Sequence, residues 1–214
     1  MPTTPAHTST PATSRSGLSG ATVWFTGIPS SGKSAIAREV FKRLLNRGLP
    51  VELLDGSGVR ESLSRGLGFS RDDREEHNRR IGYVAKLLSR NGVVAICAAV
   101  SPYRETRDEI RRNTTHFVEV FVDCPVDVAE GRDREGWYAR ARRGEVEQFT
   151  AVNAPYEPPA APEVHIHSDR ESIADAAARV IGTLETMGLV PPPGREDSER
   201  VEEMRRRLAA LGYA

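Results

Sequence analysis

The chain has 214 residues, enough for one domain with some length left for tails. Its 30 basic and 30 acidic side chains balance, which argues against a general nucleic-acid or membrane-surface binder. No apolar run is long enough to span a bilayer, and the N-terminus lacks the apolar core of a signal peptide. Cys97 and Cys124 fall in or at the end of apolar runs, so we expect two buried thiols in a reducing cytoplasm.

In chain order, residues 1–19 are rich in Thr, Ser and Pro and cannot bury enough surface to order themselves, so they read as a disordered leader. Residues 21–26, A-T-V-W-F-T, form an apolar, β-branched strand. Then comes Gly27-Ile28-Pro29-Ser30-Ser31-Gly32-Lys33-Ser34, the pattern G-x-x-x-x-G-K-S, and after it Ala35 to Arg47 carries apolar residues at helical spacing. Strand, glycine loop and helix together are the setting of a P-loop. In such a loop the backbone around Gly27, Ser30, Ser31 and Gly32 closes on phosphates. Lys33 reaches the β- and γ-phosphates, and the Ser34 hydroxyl ligates Mg²⁺. The expected ligand is a nucleoside triphosphate.

Asn46-Arg47-Gly48 stops that helix, and residues 51–54 form a second strand ending at Asp55-Gly56. A short helix is expected over Val59–Leu63, then a glycine turn at 66–69, then a long helix from Asp72 or Asp73 to Asn91-Gly92. The unbroken apolar run 93–99 marks a central parallel strand covered on both faces, and Ser101-Pro102 ends it. A helix over 105–112, a strand over 117–122 and a further helix after Asp123-Cys124-Pro125 follow. Residues 134–162 are charged and then proline-rich, which suits a mobile lid and an extended return. A last strand at 164–167 and a helix over 173–187 close the domain. His165 and His167 point the same way on that strand, but a pair without further ligands does not make a metal site. Beyond residue 190 a proline linker leads to a tail helix with Val201, Met204, Leu208 and Leu211 at heptad-like spacing. It either docks on the core or a second subunit, or is a solvated helix packing weakly on its own domain. Strands alternating with helices give an α/β, three-layer sandwich around a mostly parallel sheet, the P-loop NTPase architecture, over residues 20–190. Ligands of such sheets bind at the carboxyl ends of the strands, where Gly27–Ser34, Asp55, Ser101 and Asp123 all fall.

Further motifs carry a family resemblance. These are V-W-F-T-G at 23–27, L-D-G at 54–56, L-G-F-S at 67–70, D-R-E-E at 73–76, S-P-Y-R at 101–104, R-D at 132–133, A-R-x-G at 141–144, F-T at 149–150 and P-Y-E-P-P at 155–159. Taken in order, they resemble the adenylylsulfate (APS) kinases, which transfer the γ-phosphate of ATP to the 3′-hydroxyl of adenosine 5′-phosphosulfate. The resemblance implies ATP and Mg²⁺ as cofactors. It also implies that Phe69 and Phe149 stack the acceptor's adenine, and that Arg60 and Arg74 hold its phosphosulfate end and ribose. By the same resemblance Ser101 sits near the acceptor ribose and is a catalytic candidate beside Lys33 and Asp55, Arg132 approaches the ATP base, and Arg140, Arg142 and Arg143 belong to the lid. Family members are commonly dimers, and on that ground alone a homodimer is a candidate assembly.

The chain departs from the family on the acceptor side. D-G-D-N-x-R is here Asp55-Gly56-Ser57-Gly58-Val59-Arg60, so the second aspartate is gone and Asp55 is the remaining candidate base or metal-water anchor. His77-Asn78 replaces Asn-Ile, K-G-L-Y has become Glu135-Gly136-Trp137-Tyr138, and F-T-G-I-D reads Phe149-Thr150-Ala151-Val152-Asn153. Three readings stay open. One is a kinase with a changed nucleoside or nucleotide acceptor met by Ser57, His77 and Glu135, and this clustering of losses favours it. The others are a true APS kinase and a nucleotide-binding pseudoenzyme working through partner contacts. His77 is either an acid–base group suited to neutral pH or a side chain that only lines the acceptor site.

Overall fold

A computed structural model describes residues 20–194. The leader and the tail helix expected over 201–211 lie outside the described residues, as does the side chain of Ser57. Twelve elements follow one another: β1 (Ala21–Thr26), α1 (Lys33–Asn46), β2 (Val51–Asp55), α2 (Gly56–Leu63), α3 (Arg71–Ser89), β3 (Val94–Ala98), α4 (Arg104–Asn113), β4 (Phe117–Asp123), α5 (Val126–Gly131), α6 (Trp137–Arg142), β5 (Val164–His167) and α7 (Ile173–Thr186). The five strands lie in the order β2-β3-β1-β4-β5, and every pair is parallel, where the sequence led us to expect a mostly parallel sheet.

Alternation along the strands divides the core in two. Val23 and Phe25 of β1 face α1 and α7 together with Val118, Val120 and Val122 of β4. Trp24, between them, turns to the opposite layer with Cys97, Ile81 and Ile110 of β3, α3 and α4. Both faces are covered, which is why β1, β3 and β4 read as nearly continuous apolar runs. Cys97 and Cys124 are buried free thiols. Among the described residues no helix is long and apolar enough to cross a membrane.

Two helices start as their sequences dictate. Ser70 caps α3 by accepting from the Asp73 N–H at 3.1 Å, and Ser172 caps α7 through the Asp175 N–H at 3.1 Å. The region read as a lid contains a helix the sequence did not reveal, α6. Six residues are too few to show a period, and charged side chains dominate its surroundings. Helix α2 begins three residues earlier than expected, directly at Asp55, because Gly56 leaves room for the backbone of β3: a Cβ there would sit 2.9 Å from the Ala98 carbonyl oxygen.

A buried ion pair fastens the acceptor end of the sheet. Arg107 of α4 donates to Glu119 of β4 at 2.8 Å, to the Ser101 carbonyl at 2.6 Å and to the Glu157 carbonyl at 2.6 Å. One guanidinium thus ties the loop after β3 to β4 and to the return of the lid. Removing it would leave Glu119, which is 6% exposed, with Arg111 at 3.2 Å as its remaining cation and the Ser101 and Glu157 carbonyls without their donor.

Candidate active site

The loop between β1 and α1 has the backbone its glycines permit. Gly27 (φ 152°) and Gly32 (φ 97°) are left-handed, and Ser30 (φ 58°) joins them. A Cβ on Gly27 would lie 2.4 Å from the Val122 carbonyl oxygen, so β4 itself demands glycine there. No side chain caps α1 and no acid stands in its first turn, so its unpaired N–H groups and positive end are left for an anion. Lys33 is buried and donates to the Ile28 carbonyl at 2.6 Å and to Ser31 Oγ at 3.4 Å. Burial pulls its pKa down to about 7, against the opposing influence of Asp55 and Cys124. Phosphate oxygens brought to the loop would hold the ammonium form.

Ser34 Oγ donates to Asp55 Oδ1 at 3.1 Å, and Arg38 holds Asp55 Oδ2 at 2.8 Å. A hydroxyl and a carboxylate at the phosphate loop are hard oxygen donors of the kind Mg²⁺ takes, so Ser34 directly, and Asp55 directly or through water, fit that ion.

Two cavities meet at Lys33 and Ser34. The first, of about 650 Å³, runs from Lys33, Ser34 and Asp55 to Arg60, Phe69, Arg74, His77 and Phe149. The structure therefore brings most of the expected acceptor residues into one wall. Arg60 lies over the Phe69 ring at 4.4 Å and Arg74 at 5.4 Å. Phe149 is propped edge-on by Tyr138 at 5.0 Å. Arg74 donates to the Phe69 carbonyl at 2.9 Å and the Gln148 carbonyl at 2.7 Å, while Arg60 is bonded to the Leu67 and Gly68 carbonyls. Neither guanidinium has an ion-pair partner among the described residues, and burial lowers the pKa of both from the ordinary arginine value. Both stay protonated at any working pH. The cavity thus presents two guanidinium cations beside the Phe69 ring, with Phe149 also in its lining.

The second cavity, of about 590 Å³, lies on the other side of the loop, lined by Ser30, Gly32, Arg132, Ser168, Glu171 and Ile173 among others. Arg132 is fixed there by bonds to Ser168 Oγ at 3.3 Å and the Ser168 carbonyl at 2.8 Å. Sequence reasoning found Arg132 but missed Ser168 and Glu171. Their signal was position alone, just past the carboxyl end of the last strand.

Two expectations are corrected, for Ser101 and Glu135, and of the two readings of His77 the one as a lining side chain fits. Ser101 borders the first cavity, but its buried hydroxyl accepts from Trp24 Nε1 at 3.0 Å and faces the Ala99 carbonyl at 3.4 Å. The side chain is turned into the core and positions the loop instead of meeting a reacting group. Glu135 does not line the acceptor cavity; its carboxylate accepts from the neighbouring Trp137 indole, and Trp137 supplies the wall. His77 is buried, with Nδ1 2.7 Å from Ser64 Oγ. Burial, then the charges of Arg60, Arg80 and Arg74, lower its pKa to about 4. It is a neutral wall residue at pH 7 and a poor general base. In the lid, Arg142 pairs with Glu130 at 2.6 Å and Arg143 with Glu145 at 2.6 Å.

The geometry matches known proteins closely. A family model described as adenylylsulphate kinase matches residues 19–167. The adenylyl-sulfate kinase of Chloroflexus aurantiacus is 48% identical over 182 residues, covering 85% of this chain and 96% of the relative. That of Microcystis aeruginosa is 47% identical, covering 80% and 94%. Among solved structures, the Mycobacterium tuberculosis APS kinase CysC in complex with AMPPNP and APS is similar with a TM-score of 0.75 and 41% identity, covering 78% of this chain and 99% of that one. The chain is an ATP-dependent kinase that acts on a hydroxyl group with Mg²⁺, and it belongs to the adenylylsulphate kinase family.

Proposed function

We propose that the chain phosphorylates the 3′-hydroxyl of adenosine 5′-phosphosulfate, the true APS kinase reading, rather than a changed acceptor. The observation that carries it is the pair Arg60 and Arg74, neither ion-paired with a carboxylate among the described residues and both beside the Phe69 ring in the cavity that Phe149 also lines. A flat base with an anionic tail answers both features. Glu135, read as standing where the family has lysine, accepts from Trp137 and does not line the cavity, so it sets no negative charge against an anionic acceptor there.

In the reaction the acceptor lies between Phe69 and Phe149 with its hydroxyl toward Lys33. Lys33 and the N-terminus of α1 stabilise charge on the transferring phosphoryl group. Mg²⁺, when bound, neutralises charge on the β- and γ-oxygens. Asp55, beside Ser34 and anchored by Arg38, orients water or accepts the hydroxyl proton, a modest demand in a reaction that depends mainly on positioning. ADP release from Mg-ATP, measured with APS against adenosine, AMP and a panel of other nucleosides and nucleotides, tests the proposal. Turnover of APS at low concentration and far weaker turnover of AMP are expected. Preferred turnover of an unsulfated acceptor would restore the changed-acceptor reading, and ATP binding without turnover of any acceptor would favour a pseudoenzyme.

A further inference from the structure

We propose that Asp123, His165 and His167 form a binding site for a borderline divalent transition-metal ion, Zn²⁺ by ligand type, at the edge strand of the sheet. The two histidines are two apart on β5, so both rings leave the same face. Parallel pairing sets Asp123 directly beside His167 and Phe121 beside His165. The third ligand therefore comes from a strand end forty-odd positions earlier, brought in by register alone. Asp123 Oδ2 lies 3.1 Å from His165 Nε2 and 3.6 Å from His167 Nδ1, and all three ligand atoms fall within 4.8 Å of one another. Metal–ligand bonds of about 2.0 Å in a tetrahedron place neighbouring ligand atoms about 3.3 Å apart, so two edges of the coordination figure are already close to length. The His165 ring is held flat against Phe121 at 4.8 Å, which fixes one ligand. The His167 ring, 4.4 Å from it and about half exposed, would close the third edge by a turn about its own side chain. β5 is the last strand of the sheet, and the cluster is solvent-exposed, so water can supply the fourth ligand.

Two imidazoles and one carboxylate select Zn²⁺, Co²⁺ or Ni²⁺ over Mg²⁺, so the ion bound here is distinct from the one serving Ser34. The site also touches function through the backbone. Asp123 accepts from the Ser168 N–H at 3.0 Å, and Ser168, next to His167, holds Arg132 at the second cavity. An ion joining Asp123 to His167 clamps the two strand ends on which that arginine rests.

The test is Co²⁺ and Zn²⁺ titration of the tag-free chain in excess Mg²⁺, read by the visible ligand-field bands of Co²⁺ and by calorimetry with Zn²⁺. We expect one saturable equivalent, with His165→Ala and His167→Ala each weakening Zn²⁺ binding by at least about 100-fold, since losing even an outer-shell partner costs about 10- to 100-fold. His116→Asn, at an exposed histidine on another loop, should bind as the parent does. Asp123→Asn should also lose binding while keeping a side chain of the same size, so a failure of the alanine variants to fold does not shelter the proposal. Absence of saturable binding, or binding unchanged in the His165 and His167 variants, overturns it; in that case the cluster is only a hydrogen-bonded His–Asp pair.

Discussion

The two sides of the active site are built from different materials. The donor side is backbone: a left-handed glycine loop, an uncapped helix end and one buried lysine, packed so tightly that β4 rejects any side chain at Gly27. The acceptor side is made of long side chains from α2, α3 and the lid, resting on one another and on carbonyls, with Phe69 half exposed. Rigid backbone fixes what is common to every nucleoside triphosphate. Side-chain arginines and rings can be revised by single substitutions, and of the positions read as departures from the family His77, Asn78 and Trp137 line that side while Glu135 does not.

The sharpest break in this comparison is Lys33→Ala. It should lower kcat by about 10³-fold in the ADP-release assay, because it removes a desolvated charge that meets the transferring phosphoryl group. An effect smaller than tenfold would mean that the donor side does not depend on this lysine. On the other side, Arg74→Ala should raise the KM for the acceptor by roughly 10- to 100-fold and leave the KM for ATP within twofold, the value of one charge-assisted hydrogen bond. Equal rises in both constants would show that the two sides are not separable.

His77 gives a stability prediction with a definite sign. Its folded pKa of about 4 lies below the ordinary histidine value, so the folded state prefers the neutral ring. The contribution is therefore complete above pH 6.5 and is lost as pH falls from there toward 4. Urea unfolding should show the parent losing roughly 1–3 kcal/mol more than His77→Asn between pH 7.5 and pH 4.5. Parallel pH profiles for the two proteins would place this histidine in water. The smallest effect belongs to Glu135→Lys. Because the carboxylate meets Trp137 and not the cavity, the acceptor KM should move by less than about threefold, the scale of a screened surface charge. A tenfold fall would return Glu135 to the acceptor site.

What could be read in the chain depended on how local each feature is. The loop Gly27–Ser34 is contiguous, and each of its residue types has one physical reason, so it could be read directly. The acceptor wall needs α2 and α3 packed together. Its members were legible as residue types, but the burial of His77 against Ser64 and the inward turn of Ser101 toward Trp24 depend on partners 13 and 77 positions away. Glu135 was misjudged because the direction of a lid side chain is set by its neighbour Trp137, which spacing does not encode. The floor of the second cavity escaped because Ser168 and Glu171 carry no motif. Likewise His165 and His167 were visible as a pair, while Asp123 joined them only once the register of β4 and β5 was known.

The sheet order also governs when the molecule can assemble. β1 is the first strand made, yet its neighbours are β3 and β4, paired through Phe25↔Ala98 and Thr26↔Phe121. About 100 residues must leave the ribosome after Thr26 before β4 is complete, an interval of about 5–20 s at ordinary rates of synthesis. Through that time β1 can pair only on its β3 side, once Ala98 is made, and the carbonyl of Val122 that fits against Gly27 does not yet exist. The motif nearest the start of the domain thus waits for a strand made about 100 residues later before its packing is complete. A chain cut short anywhere before β4 carries the whole P-loop sequence without the neighbour that gives the loop its form.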